Sequence, residues 1–228
     1  MFYYSYSYLL YMLPGLVLML YAQFKVKHSF SKYSKVTNRR GLTGADAARE
    51  VLRQNGVDGV QIEHVSGNLT DHYDPRTNII RLSDEVYNST SVAAVGVAAH
   101  EAGHAVQYAK SYGPIKLRAA IIPACNIGSQ LGIPLALIGA VMGVLGLVYV
   151  GLALFGLAVL FQVVTLPVEF NASRRAISAI NSTALLTKEE ASGAKAVLSA
   201  AAMTYVAAMI QSLLMLLYYV SRFTGRRD

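Results

Sequence analysis

Charge and cysteine are what this chain of 228 residues has little of. Charged residues make up 14% of it and hydrophobic residues 54%, whereas a soluble domain usually carries about 25% charged residues. The deficit is gathered into three runs without any Asp, Glu, Lys or Arg: Met1 to Phe24, Ala119 to Val168, and Ala196 to Ser221. A helix that crosses a membrane needs about 20 apolar residues. The middle run is long enough for two crossings joined by a turn in the glycine-bearing stretch Gly139 to Gly146. The expected count is four spans, or three if the middle run is partly buried against protein. Transport paths usually carry intramembrane charges; runs with none argue against a transporter.

Cys125 is the single cysteine and falls inside the middle run. That excludes an intramolecular disulfide and any zinc site built on cysteine clusters, and leaves Cys125 as a small buried residue. The first run lacks a basic leader and a small-residue cleavage site, so it reads as an uncleaved anchor rather than a signal peptide. The formal net charge is +7. The basic residues flank the apolar runs, so the surplus does not point to nucleic acid. Lys25, Lys27, Lys32, Lys35, Arg39 and Arg40 follow the first run, Lys110, Lys116 and Arg118 precede the second, and Arg174 and Arg175 follow it. By the positive-inside rule this puts both polar regions in the cytoplasm and the N-terminus outside. Arg222, Arg226 and Arg227, after the last run, oppose that assignment; the first helix usually dominates.

The larger polar segment has room for a small core. Gly41 to Gly56 reads as a helix: Thr43 and Asp46 form a partial capping box, Ala47, Ala48, Val51 and Leu52 give an apolar face, and Gly56 ends it. Val60 to Val65, Leu69 to Tyr73 and Asn78 to Leu82 read as short strands, separated by the turns Ser66-Gly67-Asn68 and Asp74-Pro75-Arg76-Thr77. A small antiparallel sheet is expected. Asn78 to Leu82 is either an exposed edge able to bind an extended peptide or a core strand. Val92 to Tyr108 reads as a helix capped by Ser89 or Thr90.

That last helix carries the most specific signal, His100-Glu101-Ala102-Gly103-His104. An accidental H-E-x-x-H in a chain of this size has a chance of about one in a hundred at average residue usage. Histidines at i and i+4 put two imidazoles on one helix face, a turn apart, which suits one tetrahedral zinc. Glu101 projects beside them and can take a proton from an attacking water. A catalytic zinc typically has three protein ligands. His28, His64 and His72 lie upstream. Glu169, the first acidic residue after Glu101, follows the middle run, and a hydrophobic hairpin can return it to the metal. From spacing alone it is equally an interfacial carboxylate paired with Arg174 or Arg175. Pro167 suits a helix entry just before it.

Two stretches carry a family resemblance: G-V-A-A-H-E-A-G-H-A-V-Q, from Gly96 to Gln107, and L-P-V-E-F-N-A-S-R-R-A, from Leu166 to Ala176. With the order of parts, they resemble the YugP-like neutral zinc metallopeptidases of bacterial membranes over nearly the whole chain. The resemblance implies zinc, an α+β catalytic domain, peptide-bond hydrolysis and Glu169 as third ligand. More widely the chain is similar to glutamate-ligand metallopeptidases, including the membrane-bound HtpX-like group. Many of those carry E-x-x-x-D, and here Ser173 stands in place of the aspartate. Ser173 or Asn171 can orient a ligand, and neither is singled out.

The expected fold is therefore an α+β zinc metallopeptidase domain combined with about four transmembrane helices. The expected parts are a span at 1–24, a cytosolic catalytic segment at 25–118, a transmembrane hairpin at 119–168, a cytosolic helix with the third ligand at 169–195, a span at 196–221 and a tail at 222–228. The expected function is a membrane-embedded endopeptidase with one Zn2+ per chain. His100, His104 and Glu169 are its ligands and Glu101 its base, and a protein or peptide is its substrate. Oxyanion donors come from His72, Tyr73, Arg174 or Arg175. The alternative is a zinc-binding membrane scaffold or regulator without catalysis. The lipid bilayer is the other expected partner, nucleic acid is not one, and the sequence carries no signal for oligomeric state.

Overall fold

The computed structural model describes residues 6–224; Arg226 and Arg227, whose charges oppose the topology, lie outside them. The described elements are α1 (Tyr6–Tyr33), α2 (Gly44–Gln54), β1 (Gln61–His64), β2 (His72–Asp74), β3 (Ile79–Leu82), α3 (Val92–Ala109), α4 (Gly113–Met142), α5 (Leu145–Ser182) and α6 (Lys188–Thr224). The chain divides into two compact units. One holds residues up to Gln23, Leu117–Leu166 and those from Thr204 on; the other holds Phe24–Lys116 and Pro167–Met203.

The first unit is apolar outside. Four helices among the described residues, α1, α4, α5 and α6, are long and apolar enough to cross a membrane, and only 11% to 28% of their most apolar windows is buried. Leu10, Val141 and Leu160 face outward. The α4–α5 contact is made by small residues. A Cβ on Gly132 would stand 2.7 Å from the Phe155 nitrogen, and one on Gly128 would overlap the Leu154 carbonyl oxygen, so the two backbones touch. That is how spanning helices associate where lipid removes the hydrophobic drive. The turn between α4 and α5 falls at Gly143, whose φ of 70° suits glycine, inside the stretch expected to turn. Cys125 is buried, its thiol donating to the Leu157 carbonyl at 3.3 Å.

The second unit is apolar inside. Its core joins Val51 and Leu52 of α2, Ile80 and Leu82 of β3, Val92, Val95 and Val106 of α3, Ile180 of α5, Leu185 of the turn between α5 and α6, and Leu198 of α6. Thr43 caps α2 with a complete box: its hydroxyl accepts from the Asp46 N–H at 3.1 Å, and the Asp46 carboxylate accepts from the Thr43 N–H at 3.1 Å.

The sheet departs from expectation. Its order is β1-β3-β2, with β1 parallel and β2 antiparallel to β3, so it is mixed. The β2–β3 hairpin closes over Asp74, whose carboxylate accepts from the Arg76 N–H at 2.9 Å and the Thr77 hydroxyl at 2.9 Å. The chain leaving β1 passes beyond β3 before this hairpin, which puts β3 in the middle. Asn78 to Leu82 is therefore the core-strand alternative, with Ile80 and Leu82 fully buried, and β2 is an edge. Leu69 has a φ of 55°, so the second strand starts only at His72. Ser91, rather than Ser89 or Thr90, caps α3 by accepting from the Ala94 N–H at 3.1 Å. Pro167 does not open a helix: α5 runs through it for 38 residues.

Candidate metal centre

Helix α3 is buried nearly all round. From Val92 to Tyr108 the positions that are not are Val97, His100, Glu101, His104 and Tyr108. These are spaced three and four apart, so they form one stripe along one face. Alanines and valines hold the rest of the helix in the core, and the single accessible stripe is the H-E-x-x-H face.

Helix α5 lies against it. The approach is close at Gly103, where a Cβ would stand 2.7 Å from the carbonyl oxygen of Ala172; any larger side chain pushes the helices apart. One turn before Ser173, Glu169 turns its carboxylate to the histidines. Its Oε2 is 3.3 Å from Nε2 of His100 and 3.5 Å from Nε2 of His104, and its side chain is 3% exposed. The three residues form a group able to hold a metal ion, with ligand atoms all within 4.8 Å of one another. Zinc bonds to nitrogen and oxygen of about 2.0–2.1 Å in a tetrahedron put neighbouring ligand atoms about 3.4 Å apart. The two distances to the Glu169 oxygen match that edge, and two imidazoles with one carboxylate are a fitting donor set for a catalytic zinc.

The other ring nitrogens are engaged. Nδ1 of His100 is 3.1 Å from the Ser173 hydroxyl, and Nδ1 of His104 is 3.0 Å from Oε1 of Gln107. Gln107 is fully buried, and its amide donates to the Val168 carbonyl at 2.8 Å and to Asn171 at 3.0 Å. Each ring is thus turned so that Nε2 faces Glu169, the arrangement that orients metal-binding histidines generally. Burial disfavours charge on His104, but the Glu169 carboxylate, the negative charge of Glu101 and the Gln107 oxygen outweigh it and raise its pKa above the ordinary histidine value. The surroundings favour positive charge here, which a divalent ion supplies when it displaces the proton.

Glu101 stands beside this group. Its carboxylate accepts from the backbone N–H of Tyr73, on edge strand β2, at 3.0 Å. Of the other residues singled out in sequence, Tyr73 donates its hydroxyl to Asn78 at 2.8 Å, and Nδ1 of His72 meets the Thr70 carbonyl at 2.8 Å. Arg175 donates to Asn171 at 2.7 Å, and Arg174 lines a separate pocket. The Glu169 carboxylate therefore meets the histidines in place of the Arg174 or Arg175 pairing. Gln107 is the residue that sequence reading passed over. It sits one turn after His104, a spacing that could have marked it.

Residues 8–224 match the family described as "Putative neutral zinc metallopeptidase". The chain belongs to this zinc metallopeptidase family. It is also 49% identical over 216 residues to the "Putative membrane protease YugP" of Bacillus subtilis (strain 168), covering 95% of this chain and 96% of that protein. No solved structure gives a significant match. The family's metal is zinc, and with four apolar helices of spanning length the family member is a membrane protein.

Proposed function

We propose that this family member is a membrane-embedded zinc endopeptidase, with His100, His104 and Glu169 as ligands and Glu101 as general base. The observation that carries the reading is the convergence of both Nε2 atoms on one buried glutamate oxygen, at 3.3 and 3.5 Å. Zinc held there supplies a Lewis acid that polarises the scissile carbonyl and acidifies the attacking water. Glu101, held by the Tyr73 N–H, takes the water proton and delivers it to the leaving amine. Gln107 and Ser173 keep the two rings in register while this happens. The substrate is a protein or peptide.

Glu101→Gln tests the assignment. Glutamine keeps the size and can still accept from Tyr73, but it cannot take the proton. General-base catalysis contributes about 100- to 10,000-fold, so cleavage should fall at least that lower amount while zinc per chain stays unchanged. Near-wild-type cleavage would remove Glu101 as base; lost zinc would make it a structural or ligating residue.

We also place the catalytic segment on the cytoplasmic side. The support is the clustering of Lys25, Lys27, Lys110, Lys116, Arg174 and Arg175 beside the apolar runs. Ser66 is exposed, so Ser66→Cys in a Cys125→Ser background should resist an impermeant thiol reagent on intact cells and react after lysis. Labelling of intact cells inverts the topology.

A further inference from the structure

We propose that a pocket of about 610 Å³ between α5 and α6 binds the headgroup of an anionic phospholipid. Arg174 and Lys195 line it and no acidic residue does. Neither cation has an ion pair or side-chain hydrogen bond among the described residues. The hydroxyl of Ser199 and the amide of Asn181 add neutral donors to the same wall. Two unpaired cations with neutral donors complement a phosphate, and the volume lies within the roughly 300–1,000 Å³ of small-molecule sites.

The position selects a lipid over a soluble anion. The uncharged run of α5 ends at Val168, and that of α6 begins at Ala196, directly after Lys195. The pocket is therefore built where two apolar runs meet their first cations, as in headgroup sites beside spanning helices. Phe170 is 43% exposed at this wall, and an acyl chain would cover it. The pocket is distinct from the proposed metal centre, because none of His100, Glu101, His104 or Glu169 lines it. It meets the metal centre only at Ser173, whose hydroxyl reaches the Nδ1 side of His100. The inference rests on membrane residence and this pocket, and does not depend on peptide hydrolysis.

The test uses the full chain in detergent and measures retention of phosphatidylglycerol against phosphatidylcholine by native mass spectrometry. Wild type should prefer phosphatidylglycerol. Each cation near an anionic surface is worth about fivefold, so Arg174→Gln and Lys195→Gln should each weaken retention about fivefold. Together they should weaken it about 25-fold, with phosphatidylcholine unaffected. Lys110→Gln with Lys116→Gln removes the same charge beside another apolar run and should keep the preference. Soluble glycerol phosphate at millimolar concentration should fail to displace the lipid. Unchanged retention in the pocket variants, an equal loss in the Lys110/Lys116 control, or displacement by glycerol phosphate overturns the proposal. Lipid retention is read without any cleavage assay, so it stands or falls apart from the Glu101→Gln result.

Discussion

The two units use the same kinds of side chain in opposite directions. In one, Leu10, Val141 and Leu160 point outward and the helices touch through glycines; in the other, Ile80, Val95 and Leu185 point inward. Burial of apolar surface from water drives the second, at about 25 cal/mol per Å². The first has no such drive in lipid and relies on close backbone packing. The difference explains where the chemistry sits. A core formed by exclusion of water can bury Gln107 and Glu169 against fixed partners and leave one stripe of α3 accessible. The metal centre is therefore a property of the water-driven unit, although the apolar runs dominate the composition.

The largest break in this comparison is Glu169→Ala. It removes one of the three proposed ligands and leaves two mostly buried imidazoles facing a void. Loss of a supporting hydrogen bond to a metal ligand costs about 10- to 100-fold in metal affinity, and loss of a ligand should exceed that. Zinc per chain, measured after dialysis against a chelator, should fall to background. Zinc retained at the wild-type level removes Glu169 from the ligand set.

How much of this was legible in sequence follows from the physics of each signal. Charge-free runs announce four apolar helices because lipid permits no other long solution for the backbone. His100 and His104 announce a shared metal because helical spacing is local. The Thr43–Asp46 box, the turn at Asp74 and the turn at Gly143 were local as well. What failed was non-local. Alternating strands do not reveal their order, so β3 was not placeable between β1 and β2, and the edge beside Glu101 was missed. Glu169 was ambiguous from spacing because a residue so far along the chain from His104 is brought to it by a helix–helix contact. Gly103 carried that contact in sequence, but a glycine in a helix has several readings.

Glycine substitutions sharpen the comparison at intermediate size. Gly103→Ala puts a Cβ 2.7 Å from the Ala172 carbonyl oxygen, and Gly132→Ala puts one 2.7 Å from the Phe155 nitrogen. Overpacking of this kind typically costs about 1–3 kcal/mol, so both variants should melt earlier in the same detergent. Only Gly103→Ala moves α5 away from the histidines, and only it should also bind zinc more weakly. Equal zinc loss in both would mean that the two units do not separate the chemistry as described.

The smallest expected effect concerns Asp71, the carboxylate beside Glu101 in the water-driven unit. Burial pushes its pKa above the ordinary value of 3.8; the N–H and hydroxyl of Ser83 pull the other way, and the Glu101 charge adds to the rise. Those Ser83 bonds are 2.8 and 3.0 Å long. A folded-state pKa above the unfolded one means that folding favours the protonated form. That contribution to stability is complete below pH 3.8 and is lost as pH rises through the elevated folded value. At neutral pH the charge on Asp71 therefore costs stability. Asp71→Asn removes the charge but can still accept from the Ser83 N–H and donate to its hydroxyl. The variant should match or exceed wild type at pH 7, by less than about 1 kcal/mol given that Ser83 already offsets part of the burial. Its advantage should shrink as pH is lowered toward the carboxylate range. Melting temperature against pH for the two proteins checks this. A variant less stable at pH 7 than at acidic pH, relative to wild type, would show that the ionised form is the one this fold requires.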